Sequence, residues 1–347
     1  VSVSSVARIV SARLRRADAL LLLVFLAACA ARQPTAPRDH PLVGRFWDVR
    51  AGAWVDESKV AKAVASADFV FLGETHDNPE HHRLQARMLE AMVSAGRRPA
   101  ATFEMLEVDQ QPKIDAALAK DPRDPDALAA AVGWNRSGWP AFALYRPIFA
   151  VALDAGLPIV AANLSRPRAR AVASQGLSAL EPRVRDLLER AKPLSPEALD
   201  ELREEMAASH CGQMPESMLE PLVRMQRARD AEIAARVLDA GRERGAVLIA
   251  GSGHVRTDRG VPSYVALDTP NRSRVAVAFL EALEGEDSLD AYAERFSRER
   301  FPFDYVGFTV RQEREDPCRG IEKRIHPIAP EPKDGTWVWR LDASTRR

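Results

Sequence analysis

Four short apolar runs, Phe69–Leu72, Ala100–Phe103, Pro158–Ala162 and Ala246–Ala250, constrain this chain more than anything else in it. Each is continuous rather than alternating, the pattern of a strand buried on both faces. Helical stretches lie between them, so the order is strand, helix, strand, as in a doubly wound sheet. Arg274–Leu280 and Tyr305–Val310 extend the series, and Thr336–Leu341 is a last candidate. The expected fold class is α/β: a mainly parallel sheet flanked by helices, with a smaller helical insertion domain. In the helix after the first run, Asp77 or Asn78 is the expected cap and Pro79 suits the first turn. Leu84, Met88, Leu89 and Met92 share one of its faces.

Every run also ends on polar groups. Phe69–Leu72 leads into Gly73-Glu74-Thr75-His76, Ala100–Phe103 into Glu104, Pro158–Ala162 into Asn163, and Ala246–Ala250 into Gly251-Ser252-Gly253-His254. In open parallel sheets ligands bind outside the carboxyl ends of the strands. The pattern therefore aims Glu74, His76, Glu104, Asn163 and His254 at one edge, where Gly73, Gly251 and Gly253 permit close backbone approach. On the next helix His81 and Gln85 fall on one face, near its amino end, and His82 points about 100° away. Two glutamates brought together predict one carboxyl with a raised pKa, suited to a general base. No HExxH is present, and Gly251-Ser-Gly-His254 is not the GxGxxG phosphate fingerprint.

Two stretches interrupt the alternation. Residues 107–149 hold a Pro- and Asp-rich loop, the segment Gly133-Trp-Asn-Arg-Ser-Gly-Trp-Pro140 and an apolar helix. Residues 166–224 are nearly all helical in composition, broken near Pro193–Pro196 and His210–Pro215. Together they are the expected helical insertion. The α/β domain takes residues 43–106, 150–165 and 225–325, with a tail over 326–347. Gln226 and Asp230, four apart in a helical stretch, read as a solvated face. His210-Cys211-Gly212 reads equally well as a turn or as part of a site.

The chain's first 28 residues read as an export signal. Arg8, Arg13, Arg15 and Arg16 precede a short apolar run over 19–28, and Leu26-Ala27-Ala28-Cys29 has the pattern of a lipoprotein signal with Cys29 lipidated. About ten apolar residues are too few for a bilayer span, which takes ~20. A Pro-rich linker over 29–42 follows. Ala30 does not resemble an inner-membrane retention signal, so the expected place is the outer membrane, facing the periplasm. Removing residues 1–28 takes away four Arg and one Asp and leaves a formal net charge of −3. That balance does not point to nucleic acid. Cys211 and Cys318 are then the remaining thiols. They either pair, as an oxidising compartment permits, or stay apart as isolated buried thiols.

Leu72-Gly-Glu-Thr-His-Asp-Asn-Pro-Glu-His-His-Arg-Leu-Gln85, Phe103-Glu104-Met105, Ser137-Gly-Trp-Pro140, Ala162-Asn163-Leu164, His210-Cys211-Gly212, Gln226 to Asp230 and Gly251 through Pro262 together resemble the ChaN family of haem-binding lipoproteins. The family is related to the Tiki, TraB and erythromycin esterase proteins. The resemblance covers roughly residues 40–320. It implies haem as cofactor, a lipid-anchored protein of haem or iron uptake, a homodimer with paired haems and tyrosine on iron, and a haem-uptake receptor or transporter as partner. The expected haem-binding residues are Tyr145, beside Arg146 and the aromatics Trp134, Trp139, Phe142 and Phe149, with Tyr264 second; His81, Gln85, Asn163, His210 and Arg256 complete the set. The alternative implied by the wider superfamily is a hydrolase of esterase or peptidase type. There Glu74, His76, Glu104 and His254 would hold a divalent metal or activate water directly.

Overall fold

The computed structural model describes residues 39–213, 215–296, 300–315 and 318–319. The leader, Cys29, most of the linker, the tail over 326–347 and the strand expected at Thr336–Leu341 lie outside the described residues. Among those described, no helix is long and apolar enough to cross a membrane.

The elements follow in the order β1 (Phe46–Asp48), β2 (Ala53–Val55), α1 (Glu57–Ser66), β3 (Phe69–Glu74), α2 (Pro79–Ser94) and β4 (Ala100–Glu107). Next come α3 (Gln111–Lys120), α4 (Pro125–Val132), α5 (Phe142–Asp154), β5 (Ile159–Asn163), α6 (Arg166–Gln175), α7 (Pro182–Arg190), α8 (Pro196–Ser209) and α9 (Glu216–Ala240). The chain closes with β6 (Ala246–Gly251), α10 (Val261–Asp268), β7 (Arg274–Glu281), α11 (Leu289–Glu294) and β8 (Tyr305–Thr309). Among the described residues eight strands join one sheet in the order β2-β1-β8-β7-β3-β6-β4-β5. The six strands from β8 to β5 are parallel; β1 pairs antiparallel with both β2 and β8 and makes a short hairpin edge. That hairpin was not foreseen, because three-residue strands carry too little periodicity to register.

Crossover handedness explains where the helices go. The chain moves outward through β3, β4 and β5, then returns through β6, β7 and β8. A right-handed crossover in one direction puts its helices on one face of the sheet, and a crossover in the return direction puts them on the other. Val70, Leu72, Val247 and Ile249 accordingly pack with residues of α1 to α5, such as Val64, Met88, Leu128 and Phe149. Phe71, Leu248 and Ala250, on the opposite side of the same strands, pack with Val172, Leu187, Ile233, Val265 and Tyr292 from α6, α7, α9, α10 and α11. Residues 107–149 and 166–191 thus lie against opposite faces of one sheet, while the buried Ala198 and Leu202 of α8 belong to neither of its cores.

Local chemistry sets the strand ends. Asn78 caps α2, its side chain accepting from the amides of Glu80 and His81, with Pro79 in the first turn. Strands β3 to β6 each run one to four residues further than their apolar runs, so Glu74, Glu104, Asn163 and Gly251 lie within the last residues of the ladders. After β8 the chain is tied back by Arg314, which donates to Asp77 and Glu281, and then by a disulfide between Cys318 and Cys211. The two cysteines are therefore paired. Their sequence separation of 107 makes the closed loop large, so reduction, or Cys318→Ser, is expected to cost about 2–4 kcal/mol. Urea unfolding with and without reductant checks this; coincident midpoints would contradict it.

Candidate functional site

The site is built where β3, β4 and β6 end together. Register places Glu74 opposite Gly251 on β6, where a Cβ would lie 2.9 Å from His76 Nε2, so a larger residue would push the imidazole aside. Gly73 is required for packing, since its Cβ would meet Val255 at 2.4 Å. The Gly251 amide donates to Glu104 Oε2 at 2.7 Å, which fixes that carboxylate against the strand end.

From there a chain of polar contacts runs both ways. Glu104 Oε1 is 3.2 Å from His254 Nε2, and His254 Nδ1 is 2.6 Å from Asp230 Oδ1 on α9. On the other side His76 Nε2 is 3.9 Å from Glu104 Oε2, and His76 Nδ1 is 2.8 Å from Glu74 Oε1. Tyr145, from α5, donates its hydroxyl to the same Glu74 oxygen at 2.8 Å. Three carboxylates, two imidazoles and a phenol from β3, β4, α5, α9 and the loops after β3 and β6 thus form one line. Only His76 reaches solvent appreciably, its side chain 34% exposed and its ring edge-on to Trp139 at 4.8 Å.

Electrostatics follow from this pairing. Burial opposes charge on His254, Glu104 and His76, yet at all three the neighbours outweigh it. His254, between Glu104 and Asp230, is pushed up to about 10. Burial alone would raise Glu104, but His254, His76 and the Gly251 amide hold it well below the usual carboxylate range. His76 is depressed by burial and raised more by Glu104 and Glu74. Asp230 stays raised, burial exceeding the pull of His254. The expected pair of glutamates with one carboxyl raised is not what Glu104 does, because imidazoles rather than the second carboxylate are its nearest charges.

Of the residues aimed at this edge by the sequence, Glu74, His76, Glu104 and His254 do converge. Asn163 is buried at the end of β5 with its Oδ1 making no hydrogen bond among the described residues. His81 and Gln85 are fully buried and serve the backbone. His81 Nδ1 accepts from the Thr75 amide, its Nε2 faces Thr309, and Gln85 donates to the Leu72 carbonyl. Burial takes His81 down to about 3, so it stays neutral. Arg256 pairs with Asp258 and Glu201 and fastens α8 to the loop after β6. Tyr145 and Tyr264 are both buried. Burial and Glu74 raise the Tyr145 hydroxyl, while burial and then Asp230 push Tyr264 up to about 12. An exposed tyrosine in an aromatic slot is therefore not what the chain presents.

Among the described residues no three His, Cys, Asp or Glu side chains are placed to hold a metal ion. At His254 both nitrogens face carboxylates, which favours the imidazolium, a form with no lone pair to give a metal. The expected metal set Glu74, His76, Glu104 and His254 is arranged as alternating ion pairs instead.

Two members were missed by the sequence reading. Asp230 is 5% exposed, not on a solvated face. Its neighbours Ala228, Ala231, Ile233, Ala234 and Ala235 are apolar all round the helix, which is the signal that this turn of α9 is buried. His82 is buried against the Tyr145 ring, centroids 4.0 Å apart, with its Nε2 3.7 Å from Glu74. A 100° offset on a helix roofed by α5 still points into protein.

Comparison with known proteins gives these features a context. No curated protein matches the chain. Among solved structures it is similar to ChaN of Campylobacter jejuni, a structure described as showing cofacial haem binding: 22% identity, 76% of this chain and 95% of that chain covered, TM-score 0.55. That likeness shows a shared fold. A type III effector, HopBA1, matches with 15% identity over 81% of this chain and 98% of its own, at a TM-score of 0.40. A family model described as haem-binding uptake, Tiki superfamily, ChaN, matches residues 60–265. The match spans β3 to β6 with every member of the polar line and more than half of the chain, and the protein therefore belongs to the ChaN haem-binding family of the Tiki superfamily.

Proposed function

We propose that this protein is an exported haem carrier of iron uptake, held at the outer membrane by lipid on Cys29 and taking haem at the carboxyl edge of its sheet. The observation that carries the reading is the family match over residues 60–265, which includes every strand end of the polar line. The disulfide between Cys211 and Cys318 fits an oxidising compartment. A homodimer with haems face to face belongs to the same proposal, by analogy with the cofacial haem binding of Campylobacter jejuni ChaN. So does delivery to or from a haem-uptake receptor or transporter. In this reading the buried ion line shapes and rigidifies the floor of the edge, and the ligand lies outside it. The test is a titration of the purified protein with hemin followed in the Soret band. Saturable binding at about one haem per chain is expected; no saturable spectral change would remove the proposal.

One observation favours a second reading. Burying three carboxylates and two imidazoles is costly, and such clusters concentrate at sites of acid–base chemistry. A hydrolase would use Glu74, His76, Glu104 and His254 to move protons to and from water and a leaving group. An ester and peptide hydrolysis screen, with activity lost in Glu74→Gln, would favour it; an inactive wild type with intact fold would count against it.

A further inference from the structure

We infer that the cavity beside the polar line, walled by the segment after β8, binds a carboxylate carried on an apolar frame, and that in a haem carrier this is a propionate arm of the porphyrin. The first half stands on the cavity alone; the second rests on the haem reading above. The cavity measures about 290 Å³ and lies outside the carboxyl ends of β3, β7 and β8. Thr75 lines it and stands between Glu74 and His76, so the cavity adjoins the ion line on the side of β7, the strand that pairs with β3. Ordinary ligand sites run from about 300 to 1,000 Å³. This one suits a small group, or one arm of a large ligand, rather than a whole macrocycle. Neighbouring strands are about 4.8 Å apart, so a flat ligand resting over β3 and β6 reaches the cavity by extending across β7.

The walls set cations against apolar surface. Leu283, Phe296 and the ring of Tyr292 form the apolar side, and the Tyr292 hydroxyl accepts from the Leu283 amide, which fixes the ring. Arg295, Arg311 and Arg314 line the cavity too, with Glu281 as the acidic lining residue. Glu281 takes bonds from Arg314, from Asn78 and from the Gln312 amide, so its charge is already answered within the protein. A ligand carboxylate entering here meets arginine, and its frame meets the aromatic wall.

The arginines differ in how firmly they are held. Arg314 is clamped between Asp77 and Glu281 and fastens the segment after β8 to the sheet edge. Arg295 pairs with Glu286, the two side chains 48% and 34% exposed. A pair this open to water holds weakly, so the Arg295 guanidinium can turn from Glu286 to a ligand at little cost and meet its carboxylate in two-pronged geometry. It already lies over the Tyr292 ring, 5.6 Å from the centroid, beside the apolar wall. Arg311 is half-buried at the start of the segment that Arg314 fastens, and the Cys211–Cys318 disulfide ties the same segment to the end of α8. A wall anchored in this way needs little further ordering when a ligand enters.

Three probes test this on the purified protein: hemin, hemin dimethyl ester, whose propionates carry no charge, and phenylpropionate as a haem-free carboxylate. Hemin and its ester are followed in the Soret band, phenylpropionate by shifts of the arginine side-chain NMR signals. Hemin is expected to bind roughly tenfold or more tightly than the ester. Arg295→Gln with Arg311→Gln should remove most of that difference and abolish the phenylpropionate shifts, with Arg295→Gln alone as the milder variant and circular dichroism as the check on folding. A phenylpropionate response without any preference for hemin over the ester assigns the cavity to a free carboxylate and overturns the propionate half. Equal binding of hemin and ester, with no phenylpropionate response, overturns the whole proposal while haem binding stands. No saturable hemin binding, with phenylpropionate still bound, removes the haem reading and leaves the cavity as a carboxylate site.

Discussion

Glu104→Ala is expected to lower the unfolding free energy by about 3–5 kcal/mol, because it leaves a buried imidazolium short of a partner. Glu104 accepts from the Gly251 amide and faces both His254 and His76. Truncation strips all three contacts at a strand end that is 3% exposed, where water cannot take its place. Glu104→Gln keeps an acceptor for the amide and should cost less than the alanine. Replacing Glu104, His254 and Asp230 together by apolar residues of similar size should recover much of the loss, since a buried ion cluster costs heavily in desolvation. Urea midpoints at unchanged slope measure each step. A loss under about 1 kcal/mol for the alanine variant would contradict the ion-paired description of the site.

Raising the pH should destabilise the protein between about pH 6.5 and pH 10, with His254 the main group responsible and His76 acting in the same sense. The folded pKa of His254, about 10, lies above the ordinary 6.5, so its contribution is full below 6.5 and is lost as pH rises through the folded value. At ~1.4 kcal/mol per pKa unit the shift bounds the effect at roughly 5 kcal/mol. The groups facing His254 are Glu104 from β4, Asp230 from α9 and, further off, His76. Glu104, held low, contributes stability that is lost only at acid pH and does not move the alkaline window, and the raised Asp230 contributes with opposite sign. His254→Gln should flatten stability between pH 6.5 and 9.5 relative to wild type, measured by urea unfolding at several pH values; parallel curves would contradict the pairing.

The convergence of Glu74, His76, Glu104 and His254 was legible because each ends an apolar run, and parallel strands deliver such residues to one edge whatever the loops do. What stayed hidden has a common cause. Asp230, His82 and Tyr145 enter the site from helices, and a helix side chain's destination depends on what roofs it, which no local period reports. Tyr145 illustrates the point: aromatic neighbours in sequence suggested an open slot, but Trp134, Phe142 and Phe149 pack around it as core. Composition is blind to the side of a sheet, so the outward and return travel of the strands, not the sequence, separates residues 107–149 from 166–191. The edge hairpin of β1 and β2 escaped because its pairing with β8 spans most of the chain.

Determining the structure of the protein with hemin bound tests the central claim most directly. Iron density is expected outside the carboxyl ends of β3, β4 and β6, with the ion line from Tyr145 to Asp230 undisturbed beneath it. Iron bound at the amino edge of the sheet, or on a tyrosine freed from the core, would contradict it.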